Sequence, residues 1–197
     1  MVDRYQDEWV RGKVVSTGER DCAHRYDVIK SFLQRFQRPF TVLDIGANIG
    51  YFSFRIGEDF PDSIVVAIEG KPKFLSKLHD VAKQNALDNV IVIGRKLSVD
   101  DIDKLATLEH FDVVLGMSVI HHIYHDPAEG LAAFLRLGDH VILELPNEAK
   151  YGLQRYAAID VHGQLLGHGA SHIHPGSSRP IVLFTPGTTK TSTTITR

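Results

Sequence analysis

Five short apolar runs, separated by about one helix each, constrain the fold of this chain more than any other feature. They are TVLDIG (41–46), SIVVAIEG (63–70), NVIVIG (89–94), FDVVLG (111–116) and HVILEL (140–145). Runs this apolar show little alternation, so both faces are buried, as in a parallel sheet covered by helices on each side. Helical patterns fall between them. Val28, Ile29, Phe32, Leu33 and Phe36 precede the first run; Phe74, Leu75, Leu78, Val81 and Ala82 share one face of 74–87; LAAFLRL (131–137) precedes the fifth. Right-handed crossovers follow from that alternation. The end of the chain reads differently: in QLLGHGASHIHPGSSRPIVLFTP a Pro-Gly-Ser-Ser turn separates two extended runs with no helix between them. That predicts an antiparallel pair closing a sheet edge. The expected fold is α/β, a Rossmann-like, mostly parallel seven-stranded sheet with helices on both faces and an antiparallel C-terminal strand pair.

Composition narrows the class. The chain has 197 residues with 43% hydrophobic and 23% charged, enough apolar material for one core. A formal charge of −2 argues against a polyanion binder. The single cysteine, Cys22, excludes a disulfide framework and any zinc site built from several thiolates. No apolar run approaches a membrane span, and MVDRYQDEWVRGK has no apolar core of a secretory signal. The expected location is cytoplasmic, with peripheral association at the inner membrane as its variant. We expect three segments: a polar arm or lid at 1–26, the catalytic domain at 27–184, and a threonine-rich tail or linker at 185–197. The acidic stretch at 99–104 reads as a solvated helix start capped by Asp100 or Asp101.

The strongest local signal is Asp44-Ile45-Gly46-Ala47-Asn48-Ile49-Gly50, directly after a strand and opening a helix. Glycines there let a ligand approach the backbone at the carboxyl end of the sheet. Asn48 stands where the dinucleotide fingerprint needs glycine, so a pyrophosphate is not expected. The second run ends in Glu69, about 20 residues on, where an acid can take both hydroxyls of a ribose. A glycine turn with a ribose acid suits a nucleoside lacking a pyrophosphate, and S-adenosylmethionine is one. The competing account is a plain strand-to-helix turn with an exposed glutamate.

VLDIGANIG followed by that acid resembles the class I S-adenosylmethionine-dependent methyltransferases. The resemblance implies that Gly46, Asn48 and Gly50 line the cofactor and that Asp44 sits near its methionine moiety. It implies that Glu69 holds the ribose, that the adenine lies near Arg95–Leu97, and that Leu97 and Met117 complete the set. Read together, RDCAHRYDVI (20–29), GMSVIHHIYH (116–125), VILEL (141–145) and LLGHGASHIHPGSSRPIVLF (165–184) resemble more narrowly the methyltransferase domain of the bifunctional kinase-methyltransferases that terminate polymannose O-antigen chains. By that resemblance Tyr5 of the arm and Arg25 also bind the cofactor. In that family a kinase domain follows, so either a separate kinase prepares the acceptor or the acceptor differs.

Eleven histidines are present, and His121, His122 and His125 crowd the loop after the fourth run. A metal reading finds no carboxylate in a recognised pattern beside them, and no metal is expected. Two chemistries remain. Neutral imidazole can be the general base for a hydroxyl acceptor. Alternatively, imidazoles and Arg179 can hold an anionic acceptor, since a phosphate oxygen needs no base before it attacks a methyl group and mainly needs orientation. The candidate acceptor-side residues are His121, His122, Arg179 and His172. The leading expectation is methylation of a terminal phosphate or sugar hydroxyl of a glycan or lipid-linked glycan. The alternatives are a small-metabolite or nucleic-acid methyltransferase of the same fold, and a cofactor-binding module serving a partner protein.

Overall fold

The structure is a computed structural model that describes residues 5–147, 158–175 and 179–187. In chain order the elements are β1 (Glu8–Val10), β2 (Lys13–Ser16), α1 (Cys22–Leu33), β3 (Thr41–Ile45), α2 (Tyr51–Asp59), β4 (Ile64–Glu69), α3 (Pro72–Asn85) and β5 (Val90–Gly94). They continue with α4 (Val99–Leu108), β6 (Phe111–Met117), α5 (Ile120–Ile123), α6 (Pro127–Leu137), β7 (Gly138–Glu144), α7 (Ile159–Leu165), β8 (His168–His174) and β9 (Ile181–Pro186). The seven-stranded sheet has the order β5-β4-β3-β6-β7-β9-β8. Its first five strands are parallel, and β9 runs antiparallel to both β7 and β8. All five apolar runs are strands, and β8 and β9 form the antiparallel C-terminal pair; residues 176–178 of the expected turn lie outside the described residues.

The chain winds outward from β3 to β5, then returns to β6 on the other side of β3. The crevice at that reversal is where ligands bind in open sheets of this kind. Each face of the sheet carries its own apolar layer. Ile102, Leu131, Phe134 and Ile159 of α4, α6 and α7 pack on Leu43, Val114, Val141 and Phe184. On the opposite face Tyr26, Ile29, Leu33, Phe52 and Ile56 of α1 and α2 pack on Val42, Leu115 and Ile142. α3 completes that side through Leu78 and Val81.

Local chemistry sets the element ends. Pro72 opens α3, and Ala86 in the left-handed region closes it. At α4 the cap is Ser98 rather than Asp100 or Asp101: Ser98 Oγ accepts from Asp101 N, and the Asp101 carboxylate accepts in return from Ser98 N. This is a reciprocal capping box, and Asp101 is its third-position partner. The acidic side chain is held well below the usual carboxylate range by the Ser98 backbone and hydroxyl donors and by Arg95.

The N-terminal segment is more ordered than its polar composition implies. β1 and β2 form an antiparallel hairpin that docks against α2 and α3. Asn85, buried on α3, accepts from Arg11 N and donates to Trp9 O. The Arg55 guanidinium stacks over both the Trp9 and Tyr26 rings. Residues 22–26, expected in the arm, instead begin α1, whose Cys22, Arg25 and Tyr26 are buried. Of the expected tail, Thr185 and Pro186 complete β9; residues 188–197 lie outside the described residues. Among the described residues no helix is long and apolar enough to cross a membrane.

Candidate active site

β3, β4 and β6 end side by side, and their carboxyl ends border a cavity of about 840 Å³. Its first wall is the turn after β3. Gly46 N and Ala47 N both donate to Ile68 O, at 2.8 and 3.0 Å, folding the turn across the end of β4. Gly46 has φ +76°, and a methyl group on it would lie 2.7 Å from Val119 Cγ2. Both facts require glycine there. Asn48 also takes a left-handed conformation, and its N–H donates 2.9 Å to Glu69 Oε2. Lys71 N donates 2.7 Å to Glu69 Oε1. Glu69, 6% exposed, therefore ties together the two loops that form this wall while its carboxylate borders the cavity.

Asp44 and Gly50 do not border the cavity. Asp44 is buried behind the turn, accepts from Ser53 Oγ at 2.6 Å, and is pushed up to about 6 by burial, with Glu69 adding to the shift. Gly50 has φ +86° at the start of α2, where a Cβ would overlap Phe54 and Leu78. Glycine is therefore required there by close packing. Leu97 and Met117 do border the cavity, as do Arg95 and Lys96.

The second wall is assembled from distant segments. Arg179, only 9% exposed, donates through Nη1 to Tyr5 Oη at 3.0 Å and to Ser118 Oγ. One guanidinium thus joins the arm, the end of β6 and the start of β9. Ser118, three residues before His121, holds a left-handed φ of +63°. His121 and His122 lie on the one-turn α5 with ring centroids 4.1 Å apart. Burial, with the positive charges of Lys71 and Arg179, lowers the His122 pKa below its ordinary value. Its imidazole is therefore neutral near pH 7.

Arg20 and Arg25 both reach the fully buried Glu144 at the end of β7, at 2.7 and 3.1 Å. Arg20 borders the cavity, whereas Arg25 lies behind it, where it also donates to the Cys22 thiol. His172 sits on β8 and pairs with Asp160 of α7, outside the cavity. His125 is also outside it. Residues not singled out from sequence, among them Gln6, Lys71 and Ser118, do line it. The wall carries Arg20, Lys71, Arg95, Lys96 and Arg179 against Glu19 and Glu69, a cationic surplus in a chain whose net charge is −2. Among the described residues no group of three or more His, Cys, Asp or Glu is placed to hold a metal ion.

A family profile described as a methyltransferase domain matches residues 43–138, the span from the glycine turn to the start of β7. The chain carries a methyltransferase domain. The methyl donor of the class I methyltransferases, whose sheet this is, is S-adenosylmethionine. Over 113 residues the methyltransferase is 29% identical to the O-antigen chain terminator bifunctional methyltransferase/kinase WbdD of Escherichia coli. That match covers 54% of this chain and 15% of WbdD, so the chain spans a small part of that relative's length. Over 140 residues it is 26% identical to a tRNA U34 carboxymethyltransferase of Helicobacter acinonychis (strain Sheeba), covering 67% of this chain and 49% of that one. Among solved structures, WbdD superposes with a TM-score of 0.76 at 21% identity, over 94% of this chain and 44% of WbdD. The N-terminal domain of EvdMO1, crystallised with SAH and D-fucose, gives 0.65 at 19% identity, over 91% and 90%. At these identities the structural likenesses establish the fold.

Proposed function

We propose that this methyltransferase transfers the methyl group of S-adenosylmethionine to a phosphorylated glycan or lipid-linked glycan. The cavity fits such a donor on grounds of its own: a volume within the usual range for ligand sites, a turn at Gly46 that a side chain would block, and a buried acid, Glu69, beside it. In this reading Gly46 and Asn48 line the donor, Glu69 accepts from its ribose hydroxyls, and Leu97 and Met117 supply apolar contact. Tyr5 and Arg20 close the arm side. Asp44, Gly50 and Arg25 act behind the wall by holding the turn and Glu144.

The observation that carries the acceptor reading is the convergence of Arg179, Arg20, Lys71, His121 and His122 on one cavity. A sulfonium methyl is already activated, and a phosphate oxygen already carries its negative charge. The protein then has to orient the two groups and place donors on the non-reacting oxygens. A guanidinium held by Tyr5 and Ser118 is already positioned on the cavity wall, where it supplies positive charge. Neutral His122 can add an N–H. The WbdD likeness points the same way, because that relative pairs a methyltransferase with a kinase.

A second reading rests on the lowered pKa of His122, since a neutral imidazole can also accept a proton from a sugar hydroxyl. Mass spectrometry separates the two. Phosphorylated and unphosphorylated oligomannosides are incubated in parallel with the enzyme and S-adenosylmethionine. Addition of one methyl group to the phosphorylated member alone is expected. Methylation of the unphosphorylated member at equal rate replaces the proposal with the hydroxyl reading.

A further inference from the structure

The strand at one margin of the sheet, β5, is built as if to continue into another strand. Its sequence, VIVIG, holds no charge and no proline, and its pairing with β4 has no bulge. Edge strands are normally guarded by one of these devices. Ile91 and Ile93 are paired in register with Val66 and Ile68, so they point to the same face as those two residues. Val66 and Ile68 belong to the apolar layer that includes Ile102 and Leu105 of α4, whereas Ile91 and Ile93 are not part of it and are 49% and 41% exposed. Ile64, beside them on β4, is 46% exposed. Among the described residues no strand pairs with the outer side of β5.

We propose that β5 pairs with β5 of a second copy of this chain, antiparallel about a two-fold axis through Val92. Three features select this occupant. The five-residue overlap centred on Val92 sets Ile91 opposite Ile93 of the second copy, and the reciprocal contact forms a four-isoleucine cluster on one face. The flanks are of opposite charge: exposed Asp88 precedes the strand and exposed Arg95 and Lys96 follow it. An antiparallel arrangement brings Asp88 against Lys96 of the second copy, twice, whereas a parallel one would set like against like. The contact is also self-complementary, so it closes as a dimer and does not propagate.

The arrangement reaches the active site, because Arg95 and Lys96 border the cavity. Asp88 of the second copy comes to the cavity mouth and offsets part of its cationic surplus. The inference is independent of which acceptor is methylated.

Sedimentation velocity of the full chain over a concentration series tests it. The expected result is a reversible dimer of twice 22.0 kDa. Ile91→Lys/Ile93→Lys should weaken association at least about tenfold, since it buries like charges across the seam. Asp88→Lys, at an exposed position, should weaken it less, and Asp88→Lys/Lys96→Asp should restore it. Circular dichroism verifies that each variant is folded. A protein that stays monomeric throughout overturns the proposal. So does a dimer unaffected by the isoleucine variant, or an Asp88→Lys defect that the charge swap does not repair.

Discussion

The wall made by residues 44–71 and the wall made by Arg20, Ser118, His121, His122 and Arg179 differ in how their parts are brought together. The first is nearly continuous in sequence and works through backbone. Gly46, Ala47 and Asn48 donate N–H groups to the end of β4, and Glu69 accepts from two loops. The second is gathered from the arm, the end of β6 and the turn before β9, and works through side chains. Its fixed points are long-range: Arg179 to Tyr5 across 174 positions, and Arg20 to Glu144 across 124. A wall of the first kind is stable once two adjacent strands pair. A wall of the second kind exists only when the whole sheet and the arm are in place. Perturbations should therefore act globally on the second wall and locally on the first.

The largest expected effect is at Glu144. It is fully buried between two arginines, so Glu144→Ala leaves the Arg25 charge buried without its acid. Removing one partner of a buried ion pair costs about 3–5 kcal/mol. Urea denaturation should show a loss of that order, and a loss below about 1 kcal/mol, typical of exposed pairs, would mean that the two walls do not differ in this way.

Next is Asp44, behind the first wall. Its folded pKa of about 6 lies above its ordinary value of 3.8. The folded state therefore binds this proton more tightly than the unfolded chain does. Its contribution to stability is fully present below 3.8 and is lost as pH rises through about 6. Two pKa units correspond to about 3 kcal/mol. Asp44→Asn should flatten the stability profile between these pH values and be more stable than the parent at pH 7. An unchanged profile would show that Asp44 is not the buried acid described.

Glu69→Ala should weaken binding of S-adenosylhomocysteine by about 1–3 kcal/mol, the cost of losing hydrogen bonds to a charged group. Calorimetry measures this directly. Because Glu69 also accepts from Asn48 N and Lys71 N, a smaller loss of folding stability should accompany it. Unchanged affinity would remove Glu69 from the donor side.

The contrast between the walls also explains which features the amino-acid sequence makes legible. The five strands, the glycine turn and Glu69 are legible because apolar runs and a strand-turn-helix motif are local signals. The C-terminal pair is legible from its turn. The docked hairpin is not: Val14 and Val15 are exposed, and its anchors, Asn85 and Arg55, lie on other elements. α7 escapes a periodicity reading because Val161 and Leu165 are exposed and blur its pattern. Spacing alone settles neither the choice between Arg25 and Arg20 nor the place of His172. Which of two arginines on Glu144 faces the cavity depends on the path of β7, and His172 belongs to the edge strand, where its partner is Asp160.

His122→Gln tests most directly whether the second wall orients an anionic acceptor or removes a proton. Glutamine keeps a donor but cannot serve as a general base. Steady-state kinetics with the phosphorylated acceptor should show a raised KM and a modestly reduced kcat, with activity that stays within about tenfold of the parent. A variant whose turnover is abolished while its acceptor and donor affinities are intact would contradict the account and assign His122 as the base.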